Sequence, residues 1–124
     1  MAGSLYDRVG GRDWFFSLVG RFYAAVAVDP VLRPMYPEDD LDGATQRLAL
    51  FLIQYWGGPD DYEKSRGHPR LRRRHAEFLI GDLQRQVWYG HMAAAVQAGG
   101  LGREDEAEML AYFSMAADSL VNHG

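Results

Sequence analysis

Apolar residues recur at helical spacing over most of the chain. In residues 12–28, steps of three and four positions predict a helix with one buried face. Its apolar positions are Phe15, Leu18, Val19, Phe22 and Val26. The helix is expected to end near Asp29, because a residue that precedes a proline, here Pro30, disfavours the α conformation.

The same spacing predicts a helix of medium length over residues 41–56. Its apolar positions are Ala44, Leu48, Phe51, Leu52 and Tyr55. The sequence Gly-Gly-Pro at residues 57–59 is expected to terminate it, since glycine and proline both end helices. This stretch therefore predicts a second helix with one apolar face.

Further helices account for most of the remaining sequence. Two long helices are predicted over residues 77–98 and 103–122, and a short first helix over residues 4–9. A polar loop at residues 60–68 precedes a helix of under two turns at residues 70–76. Alternating strand patterns and hairpin turns are almost absent, so the sequence predicts an all-α fold.

Length and composition narrow the classes of function. The 124 residues favour a single domain over residues 1–124, and the net charge of -4 argues against nucleic acid as a partner. The absence of cysteine excludes disulfides, thiolate catalysis and zinc-cysteine sites. The first residues are too polar for a signal peptide, and no apolar run is long enough to span a membrane. We expect a cytoplasmic protein.

His75 is the first candidate for chemistry. It directly follows three arginines, and Leu71 lies four residues before it, which places both on one side of a helix. Phe78 and Ile80 follow closely. An imidazole among such apolar neighbours suits a metal in an apolar cleft, although a single histidine is more often an ordinary surface or core residue.

Three aromatic residues could supply hydrogen bonds inside a pocket. Tyr23, Tyr36 and Trp88 each combine a large apolar body with one donor, and a buried donor of this kind normally finds an acceptor. Ala44 is a small residue that would leave room for a small guest. Taken one at a time, all four residues are also ordinary core residues.

Several motifs together resemble the truncated haemoglobins, specifically their second (O-type) group. The motifs are the glycine pairs at residues 10–11 and 57–58, RFYAAVAVDPVLRPMYPEDDL, FLIQYWGGP, RGHPRLRRRHAEF and MAADSLVN. They cover residues 5–122, nearly the whole chain. The resemblance implies a two-over-two helical sandwich with a short first helix and a long loop before a short proximal helix.

The resemblance also implies a site for haem b, an iron protoporphyrin IX. His75 matches the proximal histidine that ligates the iron. Tyr23, Tyr36, Trp88 and Ala44 match the distal pocket around an iron-bound gas, and Arg47 and Arg74 are candidates to pair with the haem propionates. The full set of expected haem contacts is Met35, Tyr36, Arg47, Leu48, Phe51, Tyr62, Leu71, Arg74, His75, Phe78, Ile80 and Trp88. His68, His91 and His123 match no ligand position and are interpreted as surface or structural residues.

The expected activity is reversible binding of dioxygen, carbon monoxide and nitric oxide, with high affinity for dioxygen and slow release. Such a protein could oxidise nitric oxide or use peroxide with the help of a reductase, as a monomer or a homodimer. An oxygen storage or sensing module without turnover remains open. So does a helical interaction protein without haem. A zinc enzyme is less favoured, because the histidines do not show a helical two-ligand spacing.

Overall fold

The computed structural model describes residues 3–36, 41–61 and 80–121. Within these ranges the regular structure consists of helices alone. The helices are α1 (Leu5–Val9), α2 (Arg12–Ala27), a 3₁₀ helix (Arg33–Met35), α3 (Asp42–Tyr55), α4 (Asp82–Gln97) and α5 (Arg103–Leu120). The all-α prediction is confirmed. No helix in the described part of the chain is both long and apolar enough to cross a membrane.

Helix α1 is short and well defined at both ends. The Ser4 side chain accepts a hydrogen bond from the backbone N–H of Asp7, and Gly10 ends the helix with a φ of 117°. The Tyr6 backbone N–H donates to the Trp56 carbonyl at 3.1 Å, which holds α1 against the end of α3. The predicted short first helix is confirmed.

Helix α2 follows the predicted pattern closely. It ends at Ala27, two residues before Asp29, and all five predicted apolar positions have no exposed surface. Burial of a large apolar side chain is worth about 1.5–3 kcal/mol, so this face supplies much of the energy that fixes α2 in the core.

Helix α3 differs from its prediction on one side. Ala44, Phe51 and Leu52 are buried as expected, but Tyr55 is 51 % exposed and Ile53 is buried instead. The reason is the turn that ends α3: Gly57 has a φ of 97°, and the Gly58 N–H donates to the Ile53 carbonyl at 2.8 Å, as in a Schellman motif. This turn covers the Ile53 side of the helix and leaves Tyr55 at the surface.

Helix α4 begins later than predicted. Residues 80 and 81 are not helical, and Gly81 is the N-cap, with its N–H donating to the Gln84 side chain at 3.0 Å. The predicted start at residue 77 is therefore wrong over residues 80–81, while residues 77–79 lie outside the described residues.

The helices form two packed pairs. α2 packs on α3, α4 packs on α5, and α2 crosses to contact α4. One apolar core joins the pairs, and its largest fully buried side chains include Phe15, Phe22 and Phe113. The predicted two-over-two sandwich is confirmed.

Side chains of α2 bind the C-terminal end of α4. The Trp14 indole N–H donates to the Gly99 carbonyl at 3.0 Å, and the Arg21 guanidinium donates twice to the Ala95 carbonyl, at 3.1 and 2.8 Å. The last carbonyls of a helix have no partner within the helix, so these bonds satisfy groups that would otherwise need water. They fix the end of α4 against α2.

The segment that precedes α4 is described only in part. Of the predicted loop at residues 60–68, the structure describes Asp60 and Asp61, and Asp61 has helical backbone conformation. The rest of that loop and the predicted short helix at residues 70–76 lie outside the described residues.

Candidate functional site

Tyr23 and Tyr36 lie against each other. Their ring centroids are 5.3 Å apart and the rings are nearly perpendicular, at 86°. Tyr23 projects from α2 and is 7 % exposed, whereas Tyr36 follows the 3₁₀ helix and is half-buried. The Arg33 guanidinium donates to the Tyr36 carbonyl at 2.7 Å and so fixes the backbone from which the ring projects.

Trp88 reaches the two tyrosines through one shared neighbour, Phe22. The Phe22 ring lies 4.9 Å from the Tyr23 ring and 5.5 Å from the Trp88 ring, edge to face in both cases. Such contacts add about 0.5–1.5 kcal/mol beyond the buried area. Phe22 is fully buried, so it holds residues of α2 and α4 in a fixed relation. The three donor residues expected from the sequence are thus brought together.

The Trp88 indole N–H has no acceptor within residues 3–36, 41–61 and 80–121. Trp14 differs, because its indole N–H donates to a backbone carbonyl at 3.0 Å. Trp88 is half-buried, and a donor withdrawn from water without an acceptor costs free energy. A bound ligand with an acceptor atom would satisfy it. This donor therefore fits a pocket that takes a polar guest.

Helix α3 contributes an apolar surface. Ala44, Leu48 and Phe51 follow at intervals of four and three residues, which places them on one face of the helix. Ala44 is 4 % exposed, Phe51 is 8 % exposed, and Leu48 is half-buried against the core. A methyl group at Ala44 donates no hydrogen bond, so this position offers no polar contact to a guest.

Three further expected contact residues lie in the described part of the chain. Ile80 is buried just before α4, and Met35 is half-buried at the end of the 3₁₀ helix. Arg47 is half-buried on α3, and its guanidinium lies beside Gly43 near the start of that helix. The remaining expected contacts are outside the described residues, and their roles stay predictions: Tyr62, Leu71, Arg74, His75 and Phe78.

Comparison with known proteins decides the family. The model of the bacterial-like globin family matches residues 4–122. The chain belongs to this family. It is 35 % identical over 117 residues to a group 2 truncated haemoglobin of Bacillus subtilis, which covers 94 % of this chain and 87 % of that protein. The resemblance to group II truncated haemoglobins inferred from the motifs is confirmed.

Solved structures agree with this assignment. The chain superposes on a thermostable haemoglobin from Thermobifida fusca with a TM-score of 0.94 and 51 % identity, covering 97 % of this chain and 98 % of that one. For the haemoglobin of Chloroflexus aurantiacus the TM-score is 0.95 and the identity 42 %, covering 98 % and 100 %. As a truncated globin, this protein uses a haem cofactor and binds oxygen.

Sequence reasoning missed a polar contact beside the donors of this globin. Asp29 Oδ2 and His91 Nε2 are 2.7 Å apart, although His91 had been interpreted only as a surface or structural residue. The hydrogen bond from His91 lowers the pKa of Asp29 below its ordinary value. His91 lies three residues after Trp88, and this spacing was the one signal in the sequence that pointed toward the site.

Proposed function

We propose that this globin binds dioxygen tightly and releases it slowly. The observation that carries the proposal is that three aromatic residues, each with one hydrogen-bond donor, belong to one cluster of rings: Tyr23 contacts Tyr36, and Phe22 joins Tyr23 to Trp88. The Trp88 N–H, which lacks an acceptor in the described part of the protein, is suited to donate to a guest. Dioxygen is such a guest, since its outer oxygen can accept a hydrogen bond.

Haem b is the cofactor form that we propose. His75 would hold its iron, and Arg47 and Arg74 would pair with its propionates through charge-assisted bonds. Leu48 and Phe51 would form the apolar wall over its face. When bound, haem supplies the ferrous iron at which dioxygen, carbon monoxide or nitric oxide coordinates.

The side chains of this protein set how fast the gas leaves. Each net hydrogen bond is worth roughly 0.5–1.5 kcal/mol, and more toward a charged acceptor. Two donors acting together would slow oxygen release by about ten- to a hundredfold, because about 1.4 kcal/mol is a factor of ten. Ala44 contributes space and no hydrogen bond, so the rate of oxygen release would depend on the aromatic donors.

Slow release favours turnover of the bound gas over delivery. A carrier must give oxygen up on demand, whereas bound oxygen that stays in place is available to react. We therefore propose oxidation of nitric oxide to nitrate as a role, with a reductase that returns the iron to its ferrous state. We also propose that the protein is cytoplasmic and acts as a monomer or a homodimer.

The first experiment tests cofactor and ligand together. The reduced protein is examined by absorption spectroscopy before and after carbon monoxide, with His75→Ala and the control His123→Ala. We expect a strong Soret band that shifts with carbon monoxide and is weakened or altered in His75→Ala alone. A protein that stays colourless even after hemin is added would refute the proposal.

The second experiment tests the donors and the role. Oxygen dissociation is followed by stopped flow in Tyr23→Phe, Tyr36→Phe and the double variant, and each change is expected to accelerate release. Unchanged rates in all three variants would contradict the role of the tyrosines. Steady-state consumption of nitric oxide with a reductase and reductant then separates turnover from storage: no consumption above the protein-free rate would favour a storage module.

A further inference from the structure

The contact between Asp29 and His91 joins two segments far apart in the sequence. Asp29 follows α2, and its Oδ1 accepts hydrogen bonds from the backbone N–H groups of Val31 at 2.8 Å and Leu32 at 3.1 Å. Its Oδ2 lies 2.7 Å from Nε2 of His91 on α4. Because an ionised carboxylate only accepts, His91 is the donor in this contact. One carboxylate therefore shapes the turn after α2 and ties that turn to α4.

A continuous set of hydrogen bonds leads from Asp29 to Tyr36. The Arg33 N–H donates to the Asp29 carbonyl at 2.9 Å, and the Tyr36 N–H donates to the Arg33 carbonyl at 3.2 Å. The Arg33 guanidinium closes the turn on the Tyr36 carbonyl at 2.7 Å. The Asp29 side chain holds the Val31 and Leu32 N–H groups of the same turn, so its displacement would shift the backbone that carries the Tyr36 ring.

On the other side, His91 belongs to the same helix face as Trp88. The two residues are three positions apart on α4, which makes them neighbours on the helix surface. The His91 side chain is 30 % exposed and that of Asp29 is 16 % exposed, so their contact is partly shielded from solvent. The pair thus links the turn that bears one donor, Tyr36, to the helix that bears another, Trp88.

We propose that Asp29 and His91 are positioning residues for the gas site. Their hydrogen bond fixes the Tyr36 turn relative to Trp88 and thereby sets the rate at which bound oxygen leaves. Hydrogen bonds weaken steeply when distance and angle depart from their optimum, so a small displacement of either donor accelerates release. This inference rests on the proposed function, because it assumes that Tyr36 and Trp88 face the gas.

The test compares variants that keep or remove the donor. His91→Leu removes it, whereas His91→Gln retains an N–H donor without a positive charge. Asp29→Asn keeps an oxygen for the turn and removes the negative charge. Arg85→Gln is the matched control, because Arg85 also lies on α4 and links it elsewhere, to Asp118 on α5 at 2.7 Å and to Ser114.

Three measurements are made on each variant: the oxygen dissociation rate, the melting midpoint, and the NMR shift of the Trp88 indole N–H in the reduced protein under carbon monoxide. We expect His91→Leu to accelerate release roughly two- to tenfold and to move the Trp88 signal, as loss of about one hydrogen bond predicts. His91→Gln should restore most of the wild-type behaviour, and Asp29→Asn should fall between. Arg85→Gln should lower the melting midpoint and leave oxygen release within about twofold of wild type.

Equal acceleration in His91→Leu and Arg85→Gln would overturn the inference, since the effect would then reflect general loss of stability. So would a His91→Leu protein that melts earlier with unchanged release and an unchanged Trp88 signal. If His91→Leu does not fold, Asp29→Asn decides: wild-type release with an unmoved Trp88 signal in that variant would overturn the inference. A moved Trp88 signal with unchanged release would instead count against the proposed function, because the donor would have shifted without affecting the gas.

Discussion

Two tryptophans offer a sharp test of the gas site, because they differ in what their indole N–H groups do. Trp88 lies beside Phe22 with an N–H that has no acceptor among the described residues, whereas Trp14 donates to the Gly99 carbonyl at 3.0 Å. Both are half-buried. Replacement of each by phenylalanine removes one N–H and a similar volume. The two variants should therefore change different properties: Trp88→Phe the rate of oxygen release, and Trp14→Phe the stability of the fold.

The expected magnitudes follow from the hydrogen bond that each variant loses. Trp88→Phe should lose one bond to the bound gas, worth roughly 0.5–1.5 kcal/mol, so oxygen should leave roughly two- to twelvefold faster. Trp14→Phe should lose a bond of the same size from the folded protein. About 1 kcal/mol corresponds to roughly 4 °C in the melting midpoint of a domain of this size. Arg21 still holds α4 in that variant, so oxygen release should stay at the wild-type rate.

Stopped-flow displacement of oxygen by carbon monoxide gives the release rate, and calorimetry of the haem-free and haem-bound proteins gives the melting midpoints. The comparison is between variants, so errors common to both cancel. Equal oxygen release in Trp88→Phe and wild type would refute the assignment of this N–H to the gas. Faster release in Trp14→Phe than in Trp88→Phe would show that helix displacement, and not a donor, controls the rate.

Three further outcomes are expected from single features of the structure. Gly57→Ala should destabilise the protein by roughly 1–3 kcal/mol in urea unfolding, because φ is 97° and the new Cβ would clash with Ser4, the N-cap of α1. Gly90 lies on α4 with open space around it, so Gly90→Ala should instead stabilise the protein by roughly 0.5–1 kcal/mol. The hydrogen bond from His91 lowers the pKa of Asp29 in the folded protein. The stability that this hydrogen bond confers is fully present above the unfolded pKa of about 3.9, and it is lost as the pH falls through the lower folded pKa. Asp29→Asn should therefore flatten the fall of the melting midpoint below about pH 4. Burial raises the pKa of Tyr112 to about 12, so the stability of the folded protein should fall between about pH 10 and 12. Alkaline unfolding followed by absorbance tests this. A Tyr112→Phe protein that loses as much stability over this range as wild type would contradict it.

The sequence predicted the helices best where periodicity alone determines burial. All five predicted apolar positions of α2 are buried, because this helix packs against both α3 and α4. The prediction that Tyr55 is buried was wrong. Tyr55 occupies an apolar position in the pattern but lies at the surface, where its ring centroid is 4.4 Å from that of Tyr112. Which flank of α3 is covered depends on the turn after it, and periodicity within one helix carries no information about that turn.

The candidate site was predictable in its residues and not in its contacts. Tyr23, Tyr36 and Trp88 were predicted from their donor side chains and from the resemblance to truncated haemoglobins, but the sequence did not show that Phe22 joins Tyr23 to Trp88. The pairing of Asp29 with His91 spans 62 positions. Such a pair is created by the crossing of α2 over α4, so it becomes visible only after the helices are placed.

The bonds from α2 to the end of α4 have a consequence for how this chain tolerates change in length. Arg21 holds the Ala95 carbonyl, and Trp88 lies seven residues earlier, about two helical turns away and on the same side of α4. Because each residue turns a helix by about 100°, one residue inserted or deleted between Trp88 and Ala95 would swing the indole away from Phe22 while the helix end stayed in place. Substitutions in this stretch do not change the number of residues between Trp88 and Ala95. The direction of the Trp88 indole therefore depends on the number of residues that separate it from the fixed end of α4. This helix should tolerate substitutions in that stretch, but not insertions or deletions.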